Sequence, residues 1–479
     1  MKRTNKILIL LGVLVVFCIA TFAVIKHEEH KEKIKNSEQV ILEIPVDSVQ
    51  SLSWEKDSET LSFHKQDDKW VYDGDEAFPV DQEKIRELLG VFEQFGVSFI
   101  IEDVEDYGQY GLDKPVCTIK LSTGDQSYEI KVGTFSTIDQ LRYVSIGDGK
   151  AYLVKNDPMD LYDAALSDVI DNDDPPKYEK VTKIQFKGEE SYSIVNEEGN
   201  TYAYGDEDVY YAQVNGTNLP VDANRVNSYL SNIGNLNLTN YLTYKVTDEE
   251  LKKYGLDNPE LTVTVNYTAK DDEGKETSDT FVLNISRDPE EKKKAAEKAE
   301  KEEADESKDN DNQEEEEEIT AYARVGESPI VYQISSDAYK SLMAASYNDM
   351  RHLEVLPVSF ENITKIDISL EGFSYVFSSE KKDDKRTYYY QDKELDLTDF
   401  REALEKLKAE RFTDERPSKK EEIGLTFYLD HKNYKEVNVK LYRYDGTYCL
   451  AVIDGKPTAL VKRANAVDLI EAVYAIILG

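Results

Sequence analysis

The chain has 479 residues, of which 40% are hydrophobic and 32% are charged, so it is long enough for several domains with buried cores. Its formal net charge of −38 repels phosphate backbones and argues against nucleic acid as a partner. The three cysteines, Cys18, Cys117 and Cys449, form no CxxC pair, which argues against a structural zinc site.

The first predicted element is a membrane anchor. Residues 7–25 read ILILLGVLVVFCIATFAVI without a charge, and about 19 helical residues span about 28 Å, close to the thickness of the hydrocarbon layer. Lys2, Arg3 and Lys6 precede this run and predict that the N-terminus stays inside. We therefore expect a cell-membrane protein with a cytoplasmic tail over 1–6, a transmembrane signal anchor over 7–25 and a stalk over 26–44.

Two alternatives to the anchor are a cleaved signal peptide and a lipoprotein. The run ends in Ala23-Val24-Ile25, a poor cleavage site, and the bulky pair Val16-Phe17 precedes Cys18. An uncleaved anchor therefore fits better, with the bulk of the chain extracytoplasmic.

Self-similarity is the strongest pattern in the rest of the chain. Stretches 45–170, 177–345 and 355–479 each run through alternating strands, an amphipathic helix, a turn, more strands and a closing helix. Each repeat is far longer than a solenoid unit. The predicted fold class is α+β: an N-terminal transmembrane helix followed by three repeated domains of antiparallel sheet with packed helices.

Each repeat has a recognisable helix start. It contains Pro79 and Asp81 in the first repeat, Pro220 and Asp222 in the second, and Thr398 in the third. The oxygens of Asp81, Asp222 and Thr398 can accept the free N–H groups of a first helical turn, so these residues are predicted N-caps. The apolar faces that follow at helical spacing are Ile85, Leu88, Leu89 and Phe92; Val226, Tyr229, Leu230 and Ile233; and Phe400, Leu404 and Leu407.

A glycine turn follows each helix. It reads Tyr110-Gly111-Leu112-Asp113-Lys114-Pro115 in the first repeat and Tyr254-Gly255-Leu256-Asp257-Asn258-Pro259 in the second. The third repeat keeps only Ile423-Gly424-Leu425. The glycine can adopt a positive φ, and the proline fixes the entry into the next strand.

Two acidic segments interrupt the repeats. Residues 171–176 lack the glycine and the downstream glutamate of a calcium loop and are predicted to be a linker. Residues 287–318 are too charged to bury a core, so we expect a disordered acidic insertion within a hairpin, with a helix-forming start. Binding of a cation or a partner by this insertion is the alternative.

No motif predicts an active site. The chain has no GxSxG, HExxH or P-loop, and its five histidines are scattered: His27, His30, His64, His352 and His431. We expect no catalytic, cofactor-binding or metal residues and therefore no enzyme. Cys117 and Cys449 are predicted to be free, buried thiols, with a long-range disulfide as the alternative.

The helix starts, the glycine turns and the stretch Val132-Gly133…Arg142-Tyr143-Val144 together resemble the bacterial domain-of-unknown-function family 4340 in repeated form. The third repeat lacks the tyrosine, aspartate and proline of the turn. The family has no established catalytic residues to carry over. The resemblance implies a membrane-anchored companion of a gliding-motility-like ABC transport system, found beside permease and auxiliary subunits.

Three functions follow as hypotheses. The first is a non-enzymatic, membrane-anchored accessory or scaffold protein that binds an ABC transporter permease or auxiliary subunit. The second is a module that binds a cell-wall polymer or another extracellular ligand through aromatic runs such as Tyr388-Tyr389-Tyr390. The third is a hydrolase with paired carboxylates, which would need a concave cluster of carboxylates with raised pKa values.

Overall fold

The computed structural model describes residues 17, 19–21, 39–102, 104–199, 208–271, 273–303, 318–383 and 385–479. The chain divides into two compact units, one running to Asp173 and including Thr243–Lys245, the other formed by Asp174–Leu242 and Val246–Gly479. Most of the predicted anchor over 7–25 and most of the stalk lie outside the described residues. Within the described ranges, no helix has the length and apolar character needed to cross a membrane.

The first repeat forms one antiparallel sheet. Its strands are β1 (Val40–Leu42), β2 (Val49–Lys56), β3 (Glu59–Gln66), β4 (Lys69–Tyr72), β5 (Phe95–Ile101), β6 (Cys117–Thr123), β7 (Ser127–Ser136), β8 (Leu141–Ser145) and β9 (Ala151–Val154). They are ordered β1-β5-β9-β8-β7-β6-β2-β3-β4. The helices are α1 (Gln82–Gly90) and α2 (Met159–Tyr162), with 3-10 turns at Val46–Ser48, Tyr107–Tyr110 and Leu166–Asp168.

The second repeat forms another antiparallel sheet. Its strands are β10 (Lys180–Lys187), β11 (Ser191–Asn196), β12 (Tyr210–Val214), β13 (Thr217–Pro220), β14 (Tyr241–Thr243), β15 (Leu261–Lys270), β16 (Glu276–Arg287), β17 (Ala321–Val325) and β18 (Val331–Ile334). They are ordered β13-β12-β11-β10-β15-β16-β17-β18-β14. The helices are α3 (Ala223–Gly234), α4 (Asp248–Lys253), α5 (Pro289–Glu303), α6 (Ser336–Met343) and α7 (Tyr347–Met350).

The third repeat forms the last sheet. Its strands are β19 (Ile363–Leu370), β20 (Phe373–Lys382), β21 (Lys385–Tyr390), β22 (Lys393–Leu395), β23 (Ala409–Phe412), β24 (Glu421–Leu429), β25 (Glu436–Arg443), β26 (Tyr448–Ile453) and β27 (Lys456–Lys462). They are ordered β22-β21-β20-β19-β24-β25-β26-β27-β23. The helices are α8 (Thr398–Glu405) and α9 (Arg463–Leu478), with a 3-10 turn at Phe360–Asn362.

The predicted repetition is confirmed by the strand order of these three nine-stranded sheets in the described part of the chain. The second and third sheets match strand for strand. The first sheet has no counterpart of β13 and adds β1 at the opposite edge. A register shift between the first long strand and its partner also recurs, at Val49, Val181 and Ile363. This shift gives a common reference point from which the paired strands of the three repeats can be aligned.

The predicted helix faces are buried, all of them 8% exposed or less. In the third repeat, Ile366 and Ile368 of β19, Phe400 of α8 and Leu469 of α9 share one core cluster. In each of the first two repeats, a tyrosine hydroxyl joins two helices by a hydrogen bond. The hydroxyl of Tyr162 donates to the Leu88 carbonyl at 2.9 Å, and that of Tyr229 donates to the Leu342 carbonyl at 2.9 Å.

The prediction that Thr398 is an N-cap is wrong. Thr398 is the first residue of α8, and Leu397 occupies the capping position without a side-chain hydrogen bond. Instead, Asp396 accepts from the Thr398 backbone N–H at 3.0 Å and from its hydroxyl at 2.6 Å. The predicted caps Asp81 and Asp222 do accept first-turn N–H groups.

The prediction of a third glycine turn at Ile423-Gly424-Leu425 is also wrong, because these residues lie inside strand β24. The shared register shift pairs Val181 with Tyr267 and Ile363 with Leu429, so the counterpart of Gly255 is Pro417. Proline cannot adopt a positive φ. The turn of the first two repeats therefore cannot form there.

The insertion over 287–318 lies between β16 and β17, whose strands pair directly. Its first part was expected to be helix-forming, and Pro289–Glu303 forms α5. Asp288 accepts hydrogen bonds from the N–H groups of Glu290 and Glu291 and so starts this helix. Residues 304–317 lie outside the described part of the chain.

Candidate functional site

The glycine turn of the first repeat packs its backbone against strand β7. Gly111 has φ +68°, and a Cβ there would lie 2.6 Å from the Cγ2 atom of Thr134. A Cβ on Gly133 would lie 2.3 Å from the carbonyl oxygen of Tyr110. The Thr134 hydroxyl donates to that same carbonyl at 3.1 Å. Both glycines are therefore required by close backbone approach.

The second repeat builds the same turn with different partners. Gly255 has φ +69°. Its carbonyl accepts from the hydroxyl of buried Ser286 at 2.8 Å, and the Ser286 hydroxyl accepts from the Glu260 N–H at 3.1 Å. The tyrosine before each glycine packs on a tyrosine of a neighbouring strand, with ring centroids 4.9 Å apart for Tyr110–Tyr143 and 4.8 Å for Tyr254–Tyr322.

The remaining motif residues have local positions in the fold. Leu112 and Leu256 are buried, Asp113 and Asp257 are exposed, and Pro79, Pro115, Pro220 and Pro259 are half-buried. Asp81 caps α1. Among the motif positions, Asp222 alone contributes to the one group of described residues that could hold a metal ion.

Three apolar side chains are exposed directly after the first turn and on the hairpin of β7 and β8. Val116, directly after the turn, is 41% exposed, and Phe135 on β7 is 39% exposed. Ile138, in the loop from β7 to β8, is 92% exposed. In the second repeat, Pro289 of α5 occupies the space beside the turn, with its Cγ 3.3 Å from a Cβ built on Gly255.

The second sheet has an open polar groove of about 640 Å³. Amide and hydroxyl side chains line it, namely Gln185, Ser193, Gln213, Asn218, Thr262 and Thr264. Its aromatic members, Phe186 and Tyr192, are buried. The tyrosine run of the third repeat is also covered in part, since Tyr388 is buried and Tyr389 and Tyr390 are half-buried.

A second cleft, of about 720 Å³, contains a cluster of titratable groups within the second unit. Asp222 is the cap of α3, whereas His352 and Glu354 belong to the segment between α7 and β19. The Asp222 N–H donates to the Met350 carbonyl at 2.9 Å, which holds that segment against the start of α3. One ligand atom from each of Asp222, His352 and Glu354 lies within 4.8 Å of the others.

His352 is the centre of this cluster. Its Nε2 lies 2.8 Å from the Oδ2 atom of Asp208, and its Nδ1 lies 3.8 Å from the Oδ2 atom of Asp222. Burial opposes protonation of the imidazole, but the hydrogen bond to Asp208 and the charges of Asp208, Asp222 and Glu354 outweigh it and raise the pKa of His352.

Glu354 is tied to the third repeat. Lys408 Nζ lies 3.0 Å from Glu354 Oε1, and the backbone of this segment pairs with residues 407–409. Burial raises the pKa of the Glu354 carboxyl, but the hydrogen bond and charge of Lys408 outweigh it, so the pKa is lowered. An ionised carboxylate can bind a cation, whereas the general acid of a hydrolase needs a raised pKa.

The sequence did not point to this cluster. Asp208 and His352 are 144 residues apart, and Asp222 was singled out only as a helix cap. The one local signal is His352-x-Glu354, which places both side chains on one side of an extended segment but has no specificity on its own.

Comparison with known families gives one match. The model for a domain of unknown function (DUF4340) matches residues 70–215 and 212–426. The first match begins in β4 and ends just after β12, and the second begins in β12, the counterpart of β4, and ends inside β24. Each includes one of the two glycine turns. No curated protein and no solved structure matches the chain.

Proposed function

The chain belongs to the DUF4340 family, and on that premise we propose that it is a non-enzymatic, membrane-anchored accessory protein of an ABC-type transporter complex. Residues 7–25 would anchor it in the cell membrane, with the three sheet domains outside the cytoplasm. The sheet domains would bind the permease or an auxiliary subunit of the complex.

The observation that supports this proposal is a set of three exposed apolar side chains, one directly after the first glycine turn and two on the hairpin of β7 and β8. Val116, Phe135 and Ile138 are exposed in a chain whose formal net charge is −38. Contiguous exposed apolar side chains commonly mark protein interaction sites. Phe135 and Ile138 belong to the same hairpin. The Val116 N–H donates to the carbonyl of Val132 on β7 at 2.8 Å, so Val116 lies next to this hairpin.

The second repeat, in which the equivalent position is covered, supports the same proposal. There the space beside the equivalent turn is filled by Pro289 and the helix it begins. The two turns have the same backbone conformation, so the backbone does not account for the difference in exposure. In the first repeat, no helix of the described residues follows β7 at the equivalent position, and Val116, Phe135 and Ile138 stay exposed, which suits a docking role.

The test is purification of the full-length chain from its native membrane in mild detergent, followed by mass spectrometry. We expect stoichiometric recovery of a multi-span permease and its ATPase. The double variant Val116→Asp with Ile138→Asp should lose both, because a carboxylate must be desolvated in a dry interface.

A matched control is Phe373→Asp with Val376→Asp on strand β20, where the side chains are 67% and 47% exposed. This control should keep the transporter subunits. Recovery of no stoichiometric membrane partner would overturn the proposal. Binding of purified cell-wall polymer by the same preparation would then favour the ligand-binding alternative.

A further inference from the structure

We infer that Asp222, His352 and Glu354 form a binding site for a divalent transition-metal ion, with Asp208 supporting the histidine. The three ligating residues come from the start of α3 and from the segment that leads into the third repeat. All four residues lie within the second unit. The site is independent of the proposed transporter partner.

The first argument is the arrangement around the imidazole. The carboxylate of Asp208 accepts at 2.8 Å from His352 Nε2, so this nitrogen carries a proton. In the neutral ring the lone pair is then on Nδ1, which faces the Oδ2 atom of Asp222 at 3.8 Å. Two acceptors that face each other are stabilised by a cation between them.

The second argument is distance. A separation of 3.8 Å between Nδ1 and Oδ2 is too long for a hydrogen bond. Two ligands each about 2.1 Å from one ion lie between about 3.4 Å apart at a tetrahedral angle and about 4.2 Å apart when opposed. The third ligand atom, from Glu354, lies within 4.8 Å of the other two, so a shift of at most about 0.6 Å brings it within the span of about 4.2 Å that one ion can bridge.

The third argument is the support of the ligands. Metal-binding histidines commonly donate their second N–H to a carboxylate, which fixes the tautomer and the ring orientation, and Asp208 is placed to do this for His352. Asp222 is held through its other oxygen, Oδ1, which accepts from the Asn224 N–H at 2.8 Å. Lys408 holds Oε1 of Glu354.

The donor set indicates the class of metal. One imidazole nitrogen with two carboxylate oxygens suits Zn²⁺ or Mn²⁺ better than Ca²⁺, which prefers oxygen ligands alone. The cleft beside the cluster, about 720 Å³ in volume, gives room for water ligands and for entry. A bound ion would fasten the segment between the repeats to α3.

The test is calorimetric titration of the full-length chain in detergent with Zn²⁺ and, separately, with Mn²⁺. Millimolar Mg²⁺ is included to occupy the many exposed carboxylates. We expect saturable binding of one ion per chain. The variant Asp222→Asn should lower the affinity at least about tenfold while preserving the helix, because asparagine caps as well as aspartate.

The matched control is Asp81→Asn, the equivalent cap of α1, which should bind the ion as the parent chain does. Asp208→Asn should weaken binding by about 10- to 100-fold, the usual effect of removing such a supporting carboxylate. Absence of saturable binding would overturn the inference and leave the cluster as a hydrogen-bonded pair of His352 and Asp208. Binding that Asp222→Asn and Glu354→Gln both leave unchanged would overturn it equally.

Discussion

Gly133 shows how strongly a single residue constrains the first repeat. A Cβ at this position would lie 2.3 Å from the carbonyl oxygen of Tyr110, a backbone atom that cannot move away without opening the turn. We expect Gly133→Ala to lower the free energy of unfolding by about 2 kcal/mol or more. The measurement is urea denaturation followed by fluorescence, since the two tryptophans, Trp54 and Trp70, both lie in this sheet.

Gly96→Ala is the control for this substitution. Gly96 also lies in a strand, β5, but a Cβ there meets no atom within 4 Å. The change in unfolding free energy should stay within about 0.5 kcal/mol. Equal losses for both variants would show that the cost comes from the strand backbone and not from the approach of Tyr110.

The two described cysteines give a second prediction at this scale. Cys117 and Cys449 are free and buried, which confirms the expectation from the sequence. Burial raises the pKa of each thiol to about 12. The reactive thiolate is therefore scarce at pH 8, and both thiols should resist modification.

The measurement is the rate of reaction with an aromatic disulfide reagent at pH 8, in a Cys18→Ser background. We expect slow modification of the native chain and rapid modification of two thiols in concentrated urea. Rapid reaction of either thiol in the native chain would contradict the buried placement. Absence of two reactive thiols after unfolding would indicate the long-range disulfide instead.

The start of helix α8 gives a prediction at the scale of elements. Hydrogen bonds from the hydroxyl and then the N–H of Thr398 lower the pKa of Asp396 below its ordinary value. A depressed pKa means that this stabilisation is present above the ordinary pKa and is lost as the pH falls through the folded-state value. Asp396→Ala should therefore lower the melting temperature at pH 7. At pH 3, which lies below the ordinary pKa of an aspartate, the substitution should lower the melting temperature less.

Thr398→Ala is the comparison. It removes the hydroxyl that donates to Asp396 but keeps the hydrogen bond from the backbone N–H of residue 398 to Asp396. It should lower the melting temperature less than Asp396→Ala does. The reverse order would restore Thr398 as the capping residue. Melting followed by circular dichroism at pH 7 and at pH 3 distinguishes these outcomes.

Elements with a strong periodic pattern could be predicted from the sequence. The buried faces of α1, α3 and α8 follow apolar residues at helical spacing, and the caps Asp81 and Asp222 precede them directly. The third glycine turn was placed wrongly, because Ile423-Gly424-Leu425 resembles the turn in sequence but lies inside strand β24. Strand register, which depends on long-range pairing, identifies Pro417 as the true counterpart.

The cluster around His352 lies beyond sequence reasoning for a related reason. It joins Asp208, next to β12, with residues of the segment between repeats, and their approach depends on how α3 and that segment pack. Among 96 acidic residues, no spacing distinguishes the carboxylates that meet a histidine. The glycine turns, by contrast, are local motifs, and their positive φ angles could be anticipated.

At the scale of the whole molecule, one topology has been used three times with different surfaces. The third sheet keeps the strand order of the second although it lacks the glycine turn, so that turn is not required for the sheet to form. The hairpin of β7 and β8 ends in exposed Ile138, whereas the equivalent hairpin of β16 and β17 carries the acidic insertion. This hairpin is thus one of the places where the repeats differ.

The acidic insertion supports the last prediction. Its first residues are bound to the second sheet, since the Tyr322 hydroxyl donates to Asp288 at 2.9 Å and the Thr320 hydroxyl donates to Glu291 at 2.7 Å. The equivalent hairpin of β25 and β26 closes without any insertion. The entropic cost of a loop grows only slowly with its length. Replacing 293–317 by a Gly-Ser linker of about ten residues should therefore leave the sheet as stable as before.

The matched variant is the double substitution Asp288→Ala with Glu291→Ala in the intact chain. It removes the contacts to Tyr322 and Thr320 and should lower the melting temperature, whereas the linker variant should not. Calorimetry of both variants beside the parent chain is the measurement. A linker variant that melts well below the parent would mean that residues 293–317 stabilise the sheet, and the insertion would then have to be counted as part of the second repeat's folded structure.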